Sequence, residues 1–229
     1  MILITTYYIS DNKERQKELN RCLIKNSENN YIEKIYLLNN EVYNLDFIFN
    51  QKKIEQVIIT NEKNYKLKYN DAINFINNNL DGNICILSNS DIYFDNNLSK
   101  IYDKNGINEN NLFALLRYDE DKNGNKIIFK FFDEPRNDSQ DSWIFKSPLN
   151  IDLDKINFSF GTLGCDSIFA NIIYESGLKV SNPCYDIITT HVHNTEYRTY
   201  SVDDRIHGKY CLVPPCYLND NYEVKFMNY

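Results

Sequence analysis

Short apolar runs alternate with amphipathic stretches through the first half of the chain. Residues 2–9 (ILITTYYI) are β-branched and aromatic and predict a strand, and residues 13–27 place Leu19, Cys22 and Leu23 at helical spacing. Residues 32–38 (IEKIYLL) and 55–60 (EQVIIT) predict two more strands. Residues 69–80 predict a helix that clusters Ala72, Ile73, Phe75, Ile76 and Leu80, and residues 83–88 (NICILS) a buried strand. Strands alternating with helices imply a mainly parallel sheet covered on both faces.

After Asp95 the pattern changes. Residues 112–118 (LFALLRY) and 126–132 (KIIFKFF) flank a turn containing Asn123-Gly124 and predict an antiparallel hairpin. A polar segment then ends at Trp143, the first residue of a short strand, WIFK. Residues 165–176 predict a helix stopped by Gly177, followed by a strand through IITTHVHN. The tail, 201–229, with Pro214-Pro215, is expected to wrap the body. No internal repeat or long linker divides the chain, so one domain is expected over 1–229.

Composition narrows the function classes. The chain has 229 residues, 42% hydrophobic and 25% charged, within the ordinary globular range. Its 25 Lys+Arg against 32 Asp+Glu leave a net charge of -7, which argues against a nucleic-acid partner. No stretch approaches the roughly 20 apolar residues of a membrane span, and the N-terminus lacks signal-peptide character, so a cytoplasmic protein is expected. The 6 cysteines show no CxxC pairing and are expected to be reduced, three of them inside apolar runs. The many asparagines are weak evidence singly.

In open α/β sheets ligands sit beyond the carboxyl ends of the strands. Four groups occupy such positions: Thr5-Thr6-Tyr7, Asn61, Ser88-Asn89-Ser90-Asp91, and His191 with His193. Residues two apart share a strand face, so His191 and His193 can address one site. A carboxylate and an imidazole suit a divalent cation whose shell is completed by phosphate oxygens and water, and two His plus Asp suit zinc or iron as well. Turn capping competes for Asp91, and a polar surface strand for the histidines. Gly161 and Gly164 precede the helix carrying Asp166 in its first turn, where they permit close backbone approach to a ligand; simple N-terminal capping is the alternative for Asp166.

The segments SNSDIYFD, SQDSWIF, GCDSIFANIIYESGLKVSNP and HVHN, in this order across residues 2–200, resemble the nucleotide-sugar-dependent glycosyltransferases of the GT-A fold. More narrowly they are similar to the small members found in large DNA viruses of algae and amoebae and in some bacteria. The resemblance implies a nucleotide-binding half over 1–95 and a donor-sugar and acceptor half over 96–200. It implies that Asp91 ligates Mn²⁺ or Mg²⁺, with His191 or His193 as the late metal-binding histidine. Asn89 stands where the family's first Asp would be, which removes one anionic group. The family's Glu-Asp pair falls on Cys165-Asp166, so Asp166 alone is left as the base of an inverting transfer. Thr5, Thr6, Tyr7 and Asn61 match positions that cradle the base and ribose, Lys66 or Lys68 would face the diphosphate, and Asp141 and Trp143 would flank the donor sugar and acceptor. A UDP-sugar donor and a glycan or other hydroxyl acceptor are the implied partners.

Three other readings compete. A sugar-nucleotide nucleotidyltransferase calls for a Gly-rich phosphate loop after the first strand, where this chain has YYISDNKER. A Cys–His hydrolase built on Cys165 and His191 lacks an oxyanion motif. A non-catalytic sugar-binding module would use Tyr7, Tyr8 and Trp143 as stacking faces.

Overall fold

The structure, a computed structural model, describes residues 1–102, 106–121, 123–192, 202–220 and 223–229, so His193 lies outside the described residues. Strand β1 (Ile2–Thr5) leads into helix α1 (Lys13–Glu28) and back to β2 (Lys34–Asn39). β3 (Ile54–Ile58) is followed by α2 (Tyr69–Asn79) and β4 (Ile84–Ser88). Then come β5 (Ile92–Phe94), β6 (Asn111–Glu120), β7 (Lys126–Ile128), β8 (Lys130–Phe131), β9 (Glu134–Pro135) and β10 (Gln140–Lys146). Helix α3 (Cys165–Glu175) precedes β11 (Lys179–Ser181) and β12 (Thr189–His191), and β13 (Lys209–Leu212) pairs with β14 (Lys225–Asn228) in the tail.

The central sheet has the order β3-β2-β1-β4-β10-β6-β12-β5, with β7 and β11 also pairing to β6. Its first four strands are parallel. β10 is antiparallel to both β4 and β6, while β12 returns parallel to β6. The expected α/β architecture, mainly parallel with a smaller antiparallel part, is therefore present.

Alternation along the strands separates two cores. Ile4, Leu87, Trp143 and Phe145 pack with Ala72, Ile73 and Ile76 of α2 and Phe169, Ala170 and Ile173 of α3. On the opposite face Leu3, Ile86 and Ile144 pack with Leu19 and Leu23 of α1. Cys211 and Val213 add the tail to the first core, as a wrapping tail requires. All six cysteines are buried thiols.

Two expected strands are shorter than their apolar runs. β1 stops at Thr5 because the backbone N–H of Tyr7 donates to the Asn39 side chain at 2.9 Å instead of to a strand neighbour. β12 is confined to Thr189–His191 because the preceding residues turn, with the N–H of Ile187 donating to the Pro183 carbonyl at 2.9 Å. The Asn-Gly hairpin forms as expected, with Tyr118 opposite Ile128.

Helix α1 carries Arg15 in its first turn and begins at a side-chain cap. The Asn12 side-chain oxygen accepts from the N–H groups of Glu14 (3.0 Å) and Arg15 (3.1 Å). Asn12→Ala should cost about 1 kcal/mol of stability in urea titration. An unchanged midpoint would show that the cap contributes nothing.

Candidate active site

Because β10 runs antiparallel to its two neighbours, the carboxyl ends of β1, β4, β6 and β12 and the amino end of β10 meet at one edge of the sheet. A continuous charged network crosses that edge. The Asn89 amide donates to Asp141 Oδ1 at 2.8 Å, and Arg117 Nη1 donates to Asp141 Oδ2 at 2.8 Å. Arg117 Nε reaches Asp119 Oδ1 at 3.0 Å, and the same oxygen meets His191 Nδ1 at 2.8 Å. The other imidazole nitrogen, Nε2, lies 3.3 Å from Asp91 Oδ2, and Arg15 Nη2 lies 2.5 Å from that same oxygen.

Register explains these neighbours. His191 stands opposite Asp119 in β6 and opposite Ile92 in β5, one residue beyond Asp91. The loop Asn89-Ser90-Asp91 is pinned by the Asn89 N–H donating to the Asp141 carbonyl at 3.1 Å. Asp141 sits at a bulge in β10, where the register shifts between Gln140 and Ser142. The Arg117 guanidinium also lies over the Phe129 ring, 4.0 Å from its centroid.

Asp166 occupies the first turn of α3, on the side of the sheet that carries Trp143. Its Oδ1 accepts from the Tyr69 hydroxyl and from the Cys165 thiol, each at 3.3 Å. Burial first, and then the negative charge of Asp141, pushes the Asp166 carboxyl well above the ordinary range. Burial also pushes Tyr69 far up, so its hydroxyl stays a donor. Burial alone would lower His191, but the charge of Asp91 and the hydrogen bond to Asp119 outweigh it and raise His191 to about 9. Asp119 is held below its usual value by His191 and Arg117, against the opposing effect of burial. Arg15 and Arg117 remain cationic despite burial because each faces carboxylates.

The structure brings Asn89, Asp91, Asp141 and His191 into this network and sets Asp166 beside it. Ser90 is half-buried between them. Thr5 ends β1 at this edge, with a buried hydroxyl for which the described residues provide no partner. Thr6 bonds to Asn39. Asn61 and Lys66 are exposed in the loop after β3, and Lys68 donates to Asn157 at 3.1 Å where α2 begins.

Two expected aromatics are corrected. Trp143 is 0% exposed, with Phe169 edge-on at 4.8 Å between ring centroids, and cannot flank a sugar. Its parity in β10 aims it beneath the sheet edge, into the core under α2 and α3. Tyr7 is buried, packed against Tyr43 and Phe47, with its hydroxyl bonded to Asn20 and Gln16, so its ring presents no face to a base. Gly164 also serves packing. It adopts φ 86°, and a Cβ there would meet the Tyr210 hydroxyl oxygen at 1.9 Å, so the tail and not a ligand makes the close approach. Gly161, at φ 72°, faces open space.

Sequence reasoning missed Arg15, Arg117 and Asp119. The apolar stripe of α1 says nothing about Arg15, which is buried and bonds to Glu18 at 3.0 Å as well as to Asp91. Arg117 and Asp119 form an alternating polar pair at the end of an otherwise apolar strand, and that was their one visible signal.

The donor chemistry fits a divalent cation of the Mn²⁺ or Mg²⁺ type: a carboxylate oxygen and an imidazole nitrogen converge, and Asp119 orients the imidazole from its far side. Among the described residues no group of three or more His, Cys, Asp and Glu could hold a metal ion. No helix of the described residues is long and apolar enough to cross a membrane.

No protein-family model matches the chain, and no curated protein matches it. Solved structures do. S. aureus TarS 1-349 in complex with UDP-GlcNAc superposes with TM-score 0.53 at 12% identity, over 87% of this chain and 61% of that one. The mannosyltransferase PcManGT from Pyrobaculum calidifontis, in complex with GDP-Man and Mn²⁺, does so with TM-score 0.51 at 13% identity, over 87% and 58%. This chain thus spans about three fifths of the length of each. At such identity the likeness is one of fold, and this chain shares the fold of TarS and of that mannosyltransferase.

Proposed function

We propose that the chain is a metal-dependent glycosyltransferase moving a sugar from a nucleotide diphosphate donor, a UDP-sugar, to a glycan or other hydroxyl acceptor with inversion. One observation carries the reading: the Asp91–His191 pair and the high-pKa Asp166 flank a single charged network at the ligand edge of the sheet. The shared fold with proteins solved in complex with UDP-GlcNAc, and with GDP-Man and Mn²⁺, supports it.

Glycosyl transfer builds an oxocarbenium-like centre while a diphosphate departs with its charge. Asp91 and His191 would hold Mn²⁺ or Mg²⁺, which when bound offsets the charge of the leaving diphosphate. Asp166 takes the proton of the acceptor hydroxyl as the new C–O bond forms on the face opposite the departing group. Burial makes its carboxylate a stronger base than a solvated one, and the Tyr69 hydroxyl holds it by one oxygen. Arg117 holds Asp141 and Asp119 in place and so spaces the base side of the site from the cation side. Asn89 is turned toward Asp141, so it serves the loop's shape and leaves ribose contacts to Thr5, Thr6 and Asn61. A cytoplasmic setting suits a soluble nucleotide-sugar donor. The sugar-binding alternative loses two of its three stacking faces, since Trp143 and Tyr7 are buried, and keeps only the half-buried Tyr8.

A thermal-shift screen of nucleotide sugars with and without Mn²⁺ tests the reading. A ligand at 100 times its Kd adds about 2.7 kcal/mol, or roughly 5–10 °C for a chain of this size. A UDP-sugar should produce that shift only with Mn²⁺ present. No response to any nucleotide sugar in the presence of metal would overturn it.

A further inference from the structure

One of the two groups that would hold the cation, Asp91, is already engaged by a cation of the chain itself. Asp91 Oδ2 is the oxygen nearest His191 Nε2, at 3.3 Å, so an ion held by both side chains would meet the carboxylate that Arg15 engages. Arg15 Nη2 stands 2.5 Å from it, with the side chains of Arg15 and Asp91 both buried. A guanidinium and a metal ion held against one buried carboxylate repel at short range in a weakly screened setting, so each weakens the other's hold on it.

Arg15 also has places to go. Its Nη1 already donates to Glu18 Oε2 at 3.0 Å and to the Val192 carbonyl at 3.4 Å. We infer that Arg15 is the resident counter-cation of this site: in the ligand-free chain it occupies the cation position at Asp91, and an incoming divalent cation displaces it toward Glu18 and Val192. Arg15 is then a positioning residue. It neutralises Asp91 before the donor arrives, and it keeps metal affinity low until ligand oxygens complete the metal's shell.

This inference rests on reading Asp91 and His191 as the cation pair but not on the identity of any sugar donor. Its test is a Mn²⁺ titration of the nucleotide-free chain, with unbound Mn²⁺ followed by its electron paramagnetic resonance signal. Arg15→Gln removes the guanidinium charge from beside Asp91 and should bind Mn²⁺ at least about tenfold more tightly than wild type. Arg15→Lys keeps the positive charge and should stay near wild type, and adding Asp91→Asn to Arg15→Gln should abolish the gain. Equal affinities of wild type and Arg15→Gln, or a gain of the same size in Arg15→Lys, would overturn the inference. If Arg15→Gln is unfolded without metal, recovery of a cooperative unfolding transition in millimolar Mn²⁺ supports the exchange, and no recovery overturns it. The readout contains no nucleotide, so a failed donor screen and a failed Arg15 exchange are separate results.

Discussion

Asp166→Asn should lower the rate of sugar transfer by about 10²–10⁴-fold while leaving the thermal shift by a nucleotide sugar nearly intact. The amide keeps the shape of the carboxylate and can still meet Tyr69, but it cannot accept the acceptor's proton. The pH profile adds an independent sign. A base works deprotonated, and burial with the Asp141 charge raises Asp166 above the ordinary carboxylate value of about 3.9. The kcat/KM of the wild type should therefore climb with pH along an acid limb displaced upward from that value, and the variant should lose the limb. The same shift has a stability side: the contribution of Asp166 favours the folded chain below the unfolded pKa and is lost as pH rises through the raised folded value. A transfer rate unchanged by Asp166→Asn would remove this residue from the mechanism.

The second large effect is structural. Arg117→Ala should destabilise the chain by about 3–5 kcal/mol in urea unfolding, because it strands a buried charge. Most of that cost belongs to Asp141, whose side chain is 9% exposed; Asp119 is 44% exposed and water can replace its partner. The double variant Arg117→Ala with Asp141→Asn should recover a large part of the loss, since the stranded charge is gone. A loss below about 1 kcal/mol in the single variant would mean that the Asp119–Arg117–Asp141 run does not hold the sheet edge together.

Much of the architecture is readable locally. The alternation of apolar runs and amphipathic helices dictates a covered, largely parallel sheet, and the residues that follow β4 and end the last apolar strand point to Asp91 and to His191 or His193 by position alone. Asp166 follows from the glycine-punctuated start of α3. Period-two patterning even divides Leu3 from Ile4 and Ile144 from Trp143 between two cores. The family resemblance, not the patterning, misled at two aromatics. Trp143 and Tyr7 carry polar atoms and lie near ligand-edge motifs, yet what covers a strand face is set by helices far away in sequence.

By itself, then, the sequence determined most of the elements and the ligand edge with its candidate side chains, because hydrophobic period and strand ends are short-range properties. The tertiary structure alone decided their partners. Arg15 meets Asp91 across 76 positions, and His191 meets Asp119 across 72. Such charge pairs arise only when α1 is laid against β5 and when β12 enters beside β6, arrangements chosen by the packing of apolar faces. The charges on those elements then settle which of them neutralise one another.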